Sequence, residues 1–127
     1  MQACPCDSGK AYNSCCQPYH QGLAAPSALA LMRSRYSAYA LELTEYLMAT
    51  WHPDSRPSSL NLSEDPAIKW IGLAINLAKQ DAIDHATVEF VARYKLAGKA
   101  YRLHELSEFK KLDQRWYYLS GSEPNQH

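Results

Sequence analysis

The chain has 127 residues, 46% of them hydrophobic and 20% charged, which is enough for one globular domain with a buried core. Lys and Arg together number 13, as do Asp and Glu, so no basic field exists of the kind that binds nucleic-acid phosphates. No apolar run approaches the roughly 20 residues that cross a bilayer, and the N-terminus has no export signal, so we expect a cytoplasmic protein without a membrane partner.

The N-terminal segment CPCDSGKAYNSCC holds all four cysteines with the spacing C-x-C-x8-C-C: Cys4, Cys6, Cys15 and Cys16. Four thiolates can surround a Zn²⁺ ion tetrahedrally if the chain folds back once between the two pairs. Ser8-Gly9 is suited to that bend, and the residues after it can form one helical turn. Backbone N–H groups of the bend are expected to donate to the sulfurs, and Lys10 to offset the remaining negative charge.

The alternatives for these cysteines are disulfides and a redox or iron–sulfur centre. A disulfide framework needs an oxidising compartment, and a bridge between adjacent Cys15 and Cys16 would strain the backbone. A thioredoxin-like centre uses C-x-x-C, a spacing that does not occur here. Four cysteines leave no open coordination position, so the pattern favours structural rather than catalytic zinc. His20 could replace one cysteine, but we interpret it as an exposed histidine.

Two helices are predicted after a short spacer. Ser27 is a suitable N-cap for the first, which continues to about Leu43. One face of this helix is apolar at spacings of three and four: Leu29, Met32, Tyr36, Tyr39, Ala40 and Leu43. Arg33 and Arg35 border that face, where arginines usually keep their charged heads in water. The alternative is an arginine that faces a pocket or binds a ligand. The second helix covers TEYLMATW, with Thr44 as its cap, and Pro53 opens a loop over residues 53–66.

Four strands are predicted beyond that loop. They are KWIGLAINLAK, ATVEFVARYKL, AYRLHELSEFKKL and RWYYLSG, with turns at Ala97-Gly98 and Asp113-Gln114. Helices followed by an antiparallel meander define an α+β fold, with two helices packed on a sheet of about four strands. We divide the chain into a zinc knuckle at 1–22, an α+β domain at 23–121 and a disordered tail at 122–127.

A turn at Ala97-Gly98 would place opposite residues of the central hairpin at numbers that sum to 195. One face then carries Phe90, Glu105, Ser107 and Phe109. Glu105 among aromatic side chains could act as a general acid or base, but we favour a buried ion pair with Arg33 or Arg35. His52 is interpreted as a hydrogen-bonded corner residue, and His104 and Glu89 as solvated. No complete catalytic set emerges, so the residues argue against an enzyme without deciding the question.

The segment CPCDSGKAYNSCC resembles the SEC-C motif, the zinc-binding segment of the SecA translocation ATPase that contacts the SecB chaperone. By that resemblance the four cysteines are the ligands, and Ser8 and Gly9 match the motif's Ser-Gly. The segments LMRSRYSAY, YLMATWHP, WIGL, VEFVARY and RWYYLSG resemble the YchJ-type family of small bacterial SEC-C proteins. This resemblance implies a body similar to nuclear transport factor 2, in which helices pack into a strongly curved sheet, a cystatin-like roll.

The chain departs from that family pattern in two places. Some relatives carry a second SEC-C motif at the C-terminus, whereas this chain ends in SEPNQH. Where relatives tend to have Glu-Arg-Ser-Arg-Phe, this chain has the sequence of residues 105–109, ELSEF. Anion binding through those family arginines is therefore not expected here.

Three functions follow as hypotheses. The first is a zinc-binding adaptor that contacts a protein partner through its knuckle. The second is a small-molecule-binding protein, or an enzyme of lyase or isomerase type, with a pocket between sheet and helices. The third is single-stranded nucleic-acid binding by the knuckle, against which the neutral charge argues.

Overall fold

The computed structural model describes residues 2–60 and 68–122 of the chain. A 3₁₀ turn at Tyr12–Ser14 is followed by three helices, α1 (Gln17–His20), α2 (Ala28–Leu41) and α3 (Thr44–Ala49). Four strands complete the fold, β1 (Lys69–Ala82), β2 (His85–Leu96), β3 (Lys99–Leu112) and β4 (Arg115–Ser122). Within these described ranges, no helix combines the length and apolar composition needed to span a bilayer. Residues 61–66 of the expected loop at 53–66 and residues 123–127 of the expected tail at 122–127 lie outside the described residues.

Helix α2 begins where the sequence predicts and is buried more widely than the sequence predicts. The Ser27 hydroxyl accepts a hydrogen bond from the Ala30 N–H at 3.1 Å, which is a standard N-cap. The buried residues of α2 include Ser34 and Ser37, which lie outside the predicted apolar face. The helix therefore packs on two sides. The predicted cap of α3 is wrong, because Thr44 is its first helical residue and Leu43 occupies the cap position without a side-chain hydrogen bond.

The strands form one antiparallel sheet in the order β1-β2-β3-β4. The predicted register of the central hairpin is confirmed: His85 pairs with Lys110 and Leu96 with Lys99, and both pairs sum to 195. Ala97 and Gly98 both have positive φ, as a two-residue turn that matches the strand twist requires. Register shifts interrupt the β1–β2 ladder at three places and the β3–β4 ladder at one. Such bulges bend strands, and they produce the predicted curvature.

The core lies between α2 and the concave face of the sheet. Val88, Phe109 and Leu31 are 2% exposed or less, and they anchor this layer. The outer edge of β4 is covered by the segment after α3, because the His52 N–H donates to the Tyr118 carbonyl at 2.7 Å and the Tyr118 N–H donates to the Thr50 carbonyl at 2.8 Å. The fold is thus the predicted α+β roll, with helices packed on a four-stranded curved sheet.

Two strand glycines differ in the space that their missing side chains leave. A Cβ atom at Gly121 would lie 2.6 Å from the Glu105 Cδ and 2.9 Å from the Tyr118 hydroxyl oxygen. At Gly72 the nearest atom, the Asp7 Oδ2, would be 3.7 Å away, which is an ordinary contact.

We therefore expect Gly121→Ala to lower the free energy of unfolding by about 1–2 kcal/mol, because overpacking displaces neighbouring side chains. Gly72→Ala is the matched control, and its stability should stay within about 0.5 kcal/mol of the parent protein. Urea unfolding followed by circular dichroism measures both. Equal stability of the two variants would show that the packing around Gly121 is looser than described.

Candidate functional site

The structure brings the four N-terminal cysteines together. One turn after Cys6, where Asp7 and Gly9 have positive φ, reverses the chain, and the 3₁₀ turn then presents Cys15 and Cys16. The four sulfur atoms all lie within 4.8 Å of one another. All four cysteines are free thiols, so the disulfide alternative is not what the structure contains.

The spacing of the sulfurs fits a tetrahedral metal ion. Cys6 Sγ lies 3.6 Å from Cys15 Sγ, and Cys15 Sγ lies 3.9 Å from Cys16 Sγ. A tetrahedron with metal–sulfur bonds of about 2.3 Å has edges of about 3.8 Å. Cys6 and Cys16 are at most 1% exposed, so the cluster faces the protein interior rather than water. The residues present can therefore hold a metal ion in a closed, four-sulfur site.

Within the described residues, the hydrogen bonds to these sulfurs come from side chains and not, as expected, from backbone N–H groups. The Ser37 hydroxyl donates to Cys16 Sγ at 3.3 Å and lies 3.4 Å from Cys4 Sγ. The Ser8 hydroxyl lies 3.1 Å from Cys15 Sγ. Both hydroxyls would orient these sulfurs as ligands of a metal ion without themselves binding it.

Arg33 is a cationic side chain that contacts the cluster, whereas charge compensation by Lys10 stays a prediction. Arg33 Nη1 donates to the Cys6 carbonyl at 3.1 Å and lies 4.0 Å from Cys6 Sγ. Lys10 is exposed. A guanidinium beside the cluster offsets part of the charge that four thiolates leave around a divalent ion. Arg33 therefore does not extend into water as a border arginine would.

The thiols share protons through short contacts. A hydrogen bond from Cys16 is the largest effect on Cys6 and lowers the pKa of the Cys6 thiol to about 4, against the opposing effect of burial. The pKa of Cys16 is raised, because its proton is held by Cys6 and its side chain is buried. A metal ion must displace such protons, since its ligands are thiolates, so metal binding weakens as the pH falls.

Residues 2–20 are packed on the body. The Asp7 carboxylate accepts a hydrogen bond from the Leu73 N–H of β1 at 3.4 Å. The interpretation of His20 as an exposed residue is wrong: it is half-buried, its Nε2 lies 2.8 Å from the Ser34 carbonyl of α2, and its Nδ1 lies 2.7 Å from the Tyr12 hydroxyl. These contacts keep His20 away from the sulfur cluster and attach the knuckle to two elements of the body.

A cavity of about 260 Å³ lies on the opposite side of α2, between this helix and the sheet. Its walls are mostly aromatic and aliphatic, and they include Tyr36, Tyr39, Trp70, Phe90, Leu103 and Phe109. Its polar side chains include Arg35, Glu105 and Ser107. The expected pocket between sheet and helices therefore exists.

Arg35 lines this cavity as a buried cation. The expectation that its head lies in water is wrong, because the residue is 5% exposed. Its Nη1 donates to the Leu47 carbonyl at 2.8 Å and to the Thr50 hydroxyl at 2.7 Å. The guanidinium carbon lies 5.1 Å from the ring centre of Trp51 and 4.6 Å from that of Tyr118, in cation–π contact with both. Burial lowers the pKa of Arg35, although arginine remains charged in proteins.

Glu105 reaches the cavity as predicted, but its expected pairing with Arg33 or Arg35 is wrong. Among the ion pairs formed within residues 2–60 and 68–122, Glu105 takes part in none. The Ser107 hydroxyl donates to its Oε2 at 2.6 Å instead. Burial, followed by the negative charge of Glu105, raises the pKa of Tyr118 to about 12. Carbonyl oxygens and aromatic rings, rather than the predicted carboxylate, contact the two arginines.

The other predicted polar residues lie away from the cavity. His52 is buried at the corner after α3, where its Nδ1 accepts a hydrogen bond from the Asp54 N–H at 3.1 Å. His104 Nε2 and Glu89 Oε2 are 2.7 Å apart on the face of the sheet opposite the core. The sequence did not identify Ser37 as a functional residue. Its position four residues after Arg33, on the same side of α2, is the signal that could have identified it.

The metal site generates a prediction about Ser37. We expect Ser37→Ala to weaken Co²⁺ binding by about tenfold or more, because it removes a hydrogen bond that orients a ligand sulfur. Titration of the metal-free protein with Co²⁺, followed through the visible absorption of the tetrahedral thiolate complex, measures the affinity.

The control for this prediction is Ser34→Ala. Ser34 is also fully buried in α2, but its hydroxyl donates to the Leu31 carbonyl and contacts the Tyr46 hydroxyl, not a sulfur. Equal losses of affinity in both variants would mean that helix stability, and not the contact with sulfur, is responsible.

Comparison with known proteins identifies the family. The family described as "YchJ, middle NTF2-like domain" matches residues 27–121. A UPF0225 protein of Bordetella parapertussis is 54% identical over 122 residues, which cover 94% of this chain and 91% of that protein. A UPF0225 protein of Ralstonia nicotianae is 51% identical over 130 residues, covering 94% and 90% of the two chains.

Two solved structures are similar throughout. The solution structure of a SEC-C motif containing protein from Rhodopseudomonas palustris superposes with a TM-score of 0.82 at 33% identity, over 93% of this chain and 95% of that one. The crystal structure of a SEC-C motif containing protein from Psychrobacter arcticus gives a TM-score of 0.80 at 30% identity, over 100% and 84%. The chain therefore belongs to the YchJ family, with a SEC-C cysteine cluster preceding an NTF2-like domain.

Proposed function

We propose that this chain is a zinc protein in which the metal is structural, and that the zinc-fixed knuckle binds a protein partner in the cytoplasm. The observation that carries the proposal is the closed cluster of four sulfurs, whose separations of 3.6 and 3.9 Å match the edges of a zinc tetrathiolate. Cys4, Cys6, Cys15 and Cys16 would be its ligands. Zinc suits this site because it favours four-sulfur tetrahedral coordination and has no redox chemistry.

The arrangement favours structure over catalysis at the metal. A catalytic zinc keeps one position open for water or substrate. Here four buried or half-buried sulfurs fill the tetrahedron, and Ser37 and Arg33 cover it from α2. The zinc would therefore fix the short knuckle and attach it to the body.

The outer side of the knuckle is the surface proposed for the partner. Gly9, Lys10, Asn13 and Ser14 are exposed, and the last three carry polar side chains. Metal coordination fixes this segment before binding, which lowers the ordering cost of an interface. Of the knuckle's other polar groups, Asp7 is already bonded to β1 and the Tyr12 hydroxyl to His20, so Lys10 and Asn13 are the side chains best placed to contact another protein.

The first test is metal analysis of the purified chain together with partner capture. We expect one zinc per chain, and we expect the double variant Lys10→Glu/Asn13→Arg to keep its zinc but lose the proteins that the parent chain retains from a bacterial lysate. The control is Lys95→Glu/Arg102→Glu, which changes exposed residues of the β2–β3 hairpin. Its retained proteins should match those of the parent.

Three outcomes would count against the proposal. Retention unchanged in the Lys10→Glu/Asn13→Arg variant would remove the knuckle as the partner surface. Iron, or no metal at all, in a chain purified under reducing conditions would remove the zinc. Loss of retention in both double variants would indicate nonspecific charge effects rather than a knuckle surface.

A second candidate function is small-molecule binding, favoured by the open cavity between α2 and the sheet. Side chains of the helix line this space without filling it. Glu105 is the one carboxylate among the described lining residues, and none of them is a histidine. Acid–base catalysis of lyase or isomerase type would depend on Glu105 alone, so the cavity supports binding more directly than chemistry.

A further inference from the structure

The size and walls of the cavity define the kind of molecule that it accepts. Its volume is about 260 Å³, whereas an apolar cavity of about 150 Å³ is large enough to bind benzene. Trp70, Phe90 and Phe109 provide flat aromatic surfaces. The space therefore suits one aromatic ring with one or two small substituents.

Arg35 provides an unused binding position for an anion. The two hydrogen bonds that fix its orientation both start from Nη1, and the Tyr39 hydroxyl on the same cavity wall is the other polar group beside the guanidinium. No carboxylate in the described part of the chain forms an ion pair with it. Two aromatic rings and two acceptors hold the guanidinium in one orientation. A fixed planar guanidinium on a cavity wall, with Nε and Nη2 not engaged by a carboxylate of the described residues, can bind an incoming carboxylate through two parallel hydrogen bonds.

Glu105 provides a second polar position in the cavity, and this position requires a hydrogen-bond donor rather than an anion. Its Oε2 accepts from Ser107, and its Oε1 has no donor within residues 2–60 and 68–122. The carboxylate and the Arg35 guanidinium line the same cavity but lie more than 4.0 Å apart, without forming an ion pair. A ligand anionic at both ends would be repelled by Glu105, while a hydroxyl or amino group would donate to it.

We propose that the cavity binds a monocyclic aromatic carboxylate that carries a hydroxyl or amino group, with the carboxylate on Arg35, the ring against the aromatic walls and the donor on Glu105. This inference rests on the small-molecule function proposed above and names its ligand class. The two free polar positions, and the aromatic surface between them, together define such a molecule.

The experiment is a titration of the full, zinc-loaded chain, followed by ¹H–¹⁵N NMR, with 4-hydroxybenzoate as the probe. We expect shifts confined to residues around the cavity. The neutral analogue 4-hydroxybenzamide and the unsubstituted benzoate should each bind about tenfold more weakly, because each loses a hydrogen bond to a charged group.

Two variants test which residue causes the preference for a carboxylate and which causes the preference for a hydroxylated ring. Glu105→Gln keeps the shape of the side chain but removes its charge, and it should bind benzoate at least as tightly as the parent while its preference for the hydroxylated ring falls. Arg35→Met should lose the preference for carboxylate over amide. If Arg35→Met does not fold, the ligand series on the parent chain and the Glu105→Gln variant still decide the question.

The outcomes separate the ligand class from the cavity function. Equal affinity for 4-hydroxybenzoate and 4-hydroxybenzamide, with shifts at the cavity, would overturn the carboxylate position on Arg35 but leave small-molecule binding intact. An unchanged preference for the hydroxylated ring in Glu105→Gln would overturn the donor position. No shift at the cavity with any of the three probes at millimolar concentration would overturn the ligand class and count against the cavity as a binding site.

Discussion

The contact between Ser37 and the cysteine cluster is the interaction on which the arrangement of this protein depends. One hydroxyl on α2 lies within 3.4 Å of two sulfurs that are separated by eleven intervening residues of the N-terminal segment. A short segment rich in Gly, Ser and Pro cannot bury enough apolar surface to fold by itself. Coordination of a metal ion by the four cysteines would supply the missing stability, and the hydroxyl fixes where the cysteine segment lies on the body.

The consequence is a core that the knuckle and the body build together. Cys4, Cys6 and Cys16 belong to the same buried cluster as Leu31 and Phe109. The polar contacts follow the same pattern, since Arg33 reaches the Cys6 carbonyl and Asp7 reaches the backbone of β1. The knuckle is thus a structural layer on the outer side of α2, while the sheet covers the inner side.

Sequence reasoning predicted the sheet well, because its signals are local. A two-residue turn at Ala97-Gly98 determines the register of every pair in the β2–β3 hairpin, and the alternation of apolar residues determines the face. The same reasoning failed for α2, since a helical projection assumes one buried side. The second side of this helix is buried by polar groups, Ser34, Ser37 and Arg33, whose partners lie in the cysteine segment and α3. No apolar periodicity marks such a surface.

The register of the hairpin predicts the position of Glu105 correctly, but the predicted ion pair of Glu105 is wrong. Nothing in the sequence shows that carbonyl oxygens and aromatic rings contact Arg35 instead.

Helix α2 also connects the two candidate sites. Residues 33 and 37 face the sulfurs, whereas Met32, Arg35 and Tyr36 line the cavity. Neighbouring turns of a helix move together, so a displacement of α2 at the metal site changes the position of Arg35 relative to the sheet. A metal ion held by the cysteines would therefore stabilise the cavity as well as the knuckle, although the cysteines lie outside the cavity. The proposed partner surface and the proposed ligand cavity are therefore compatible, because a single helix contacts the cysteine cluster on one side and lines the cavity on the other.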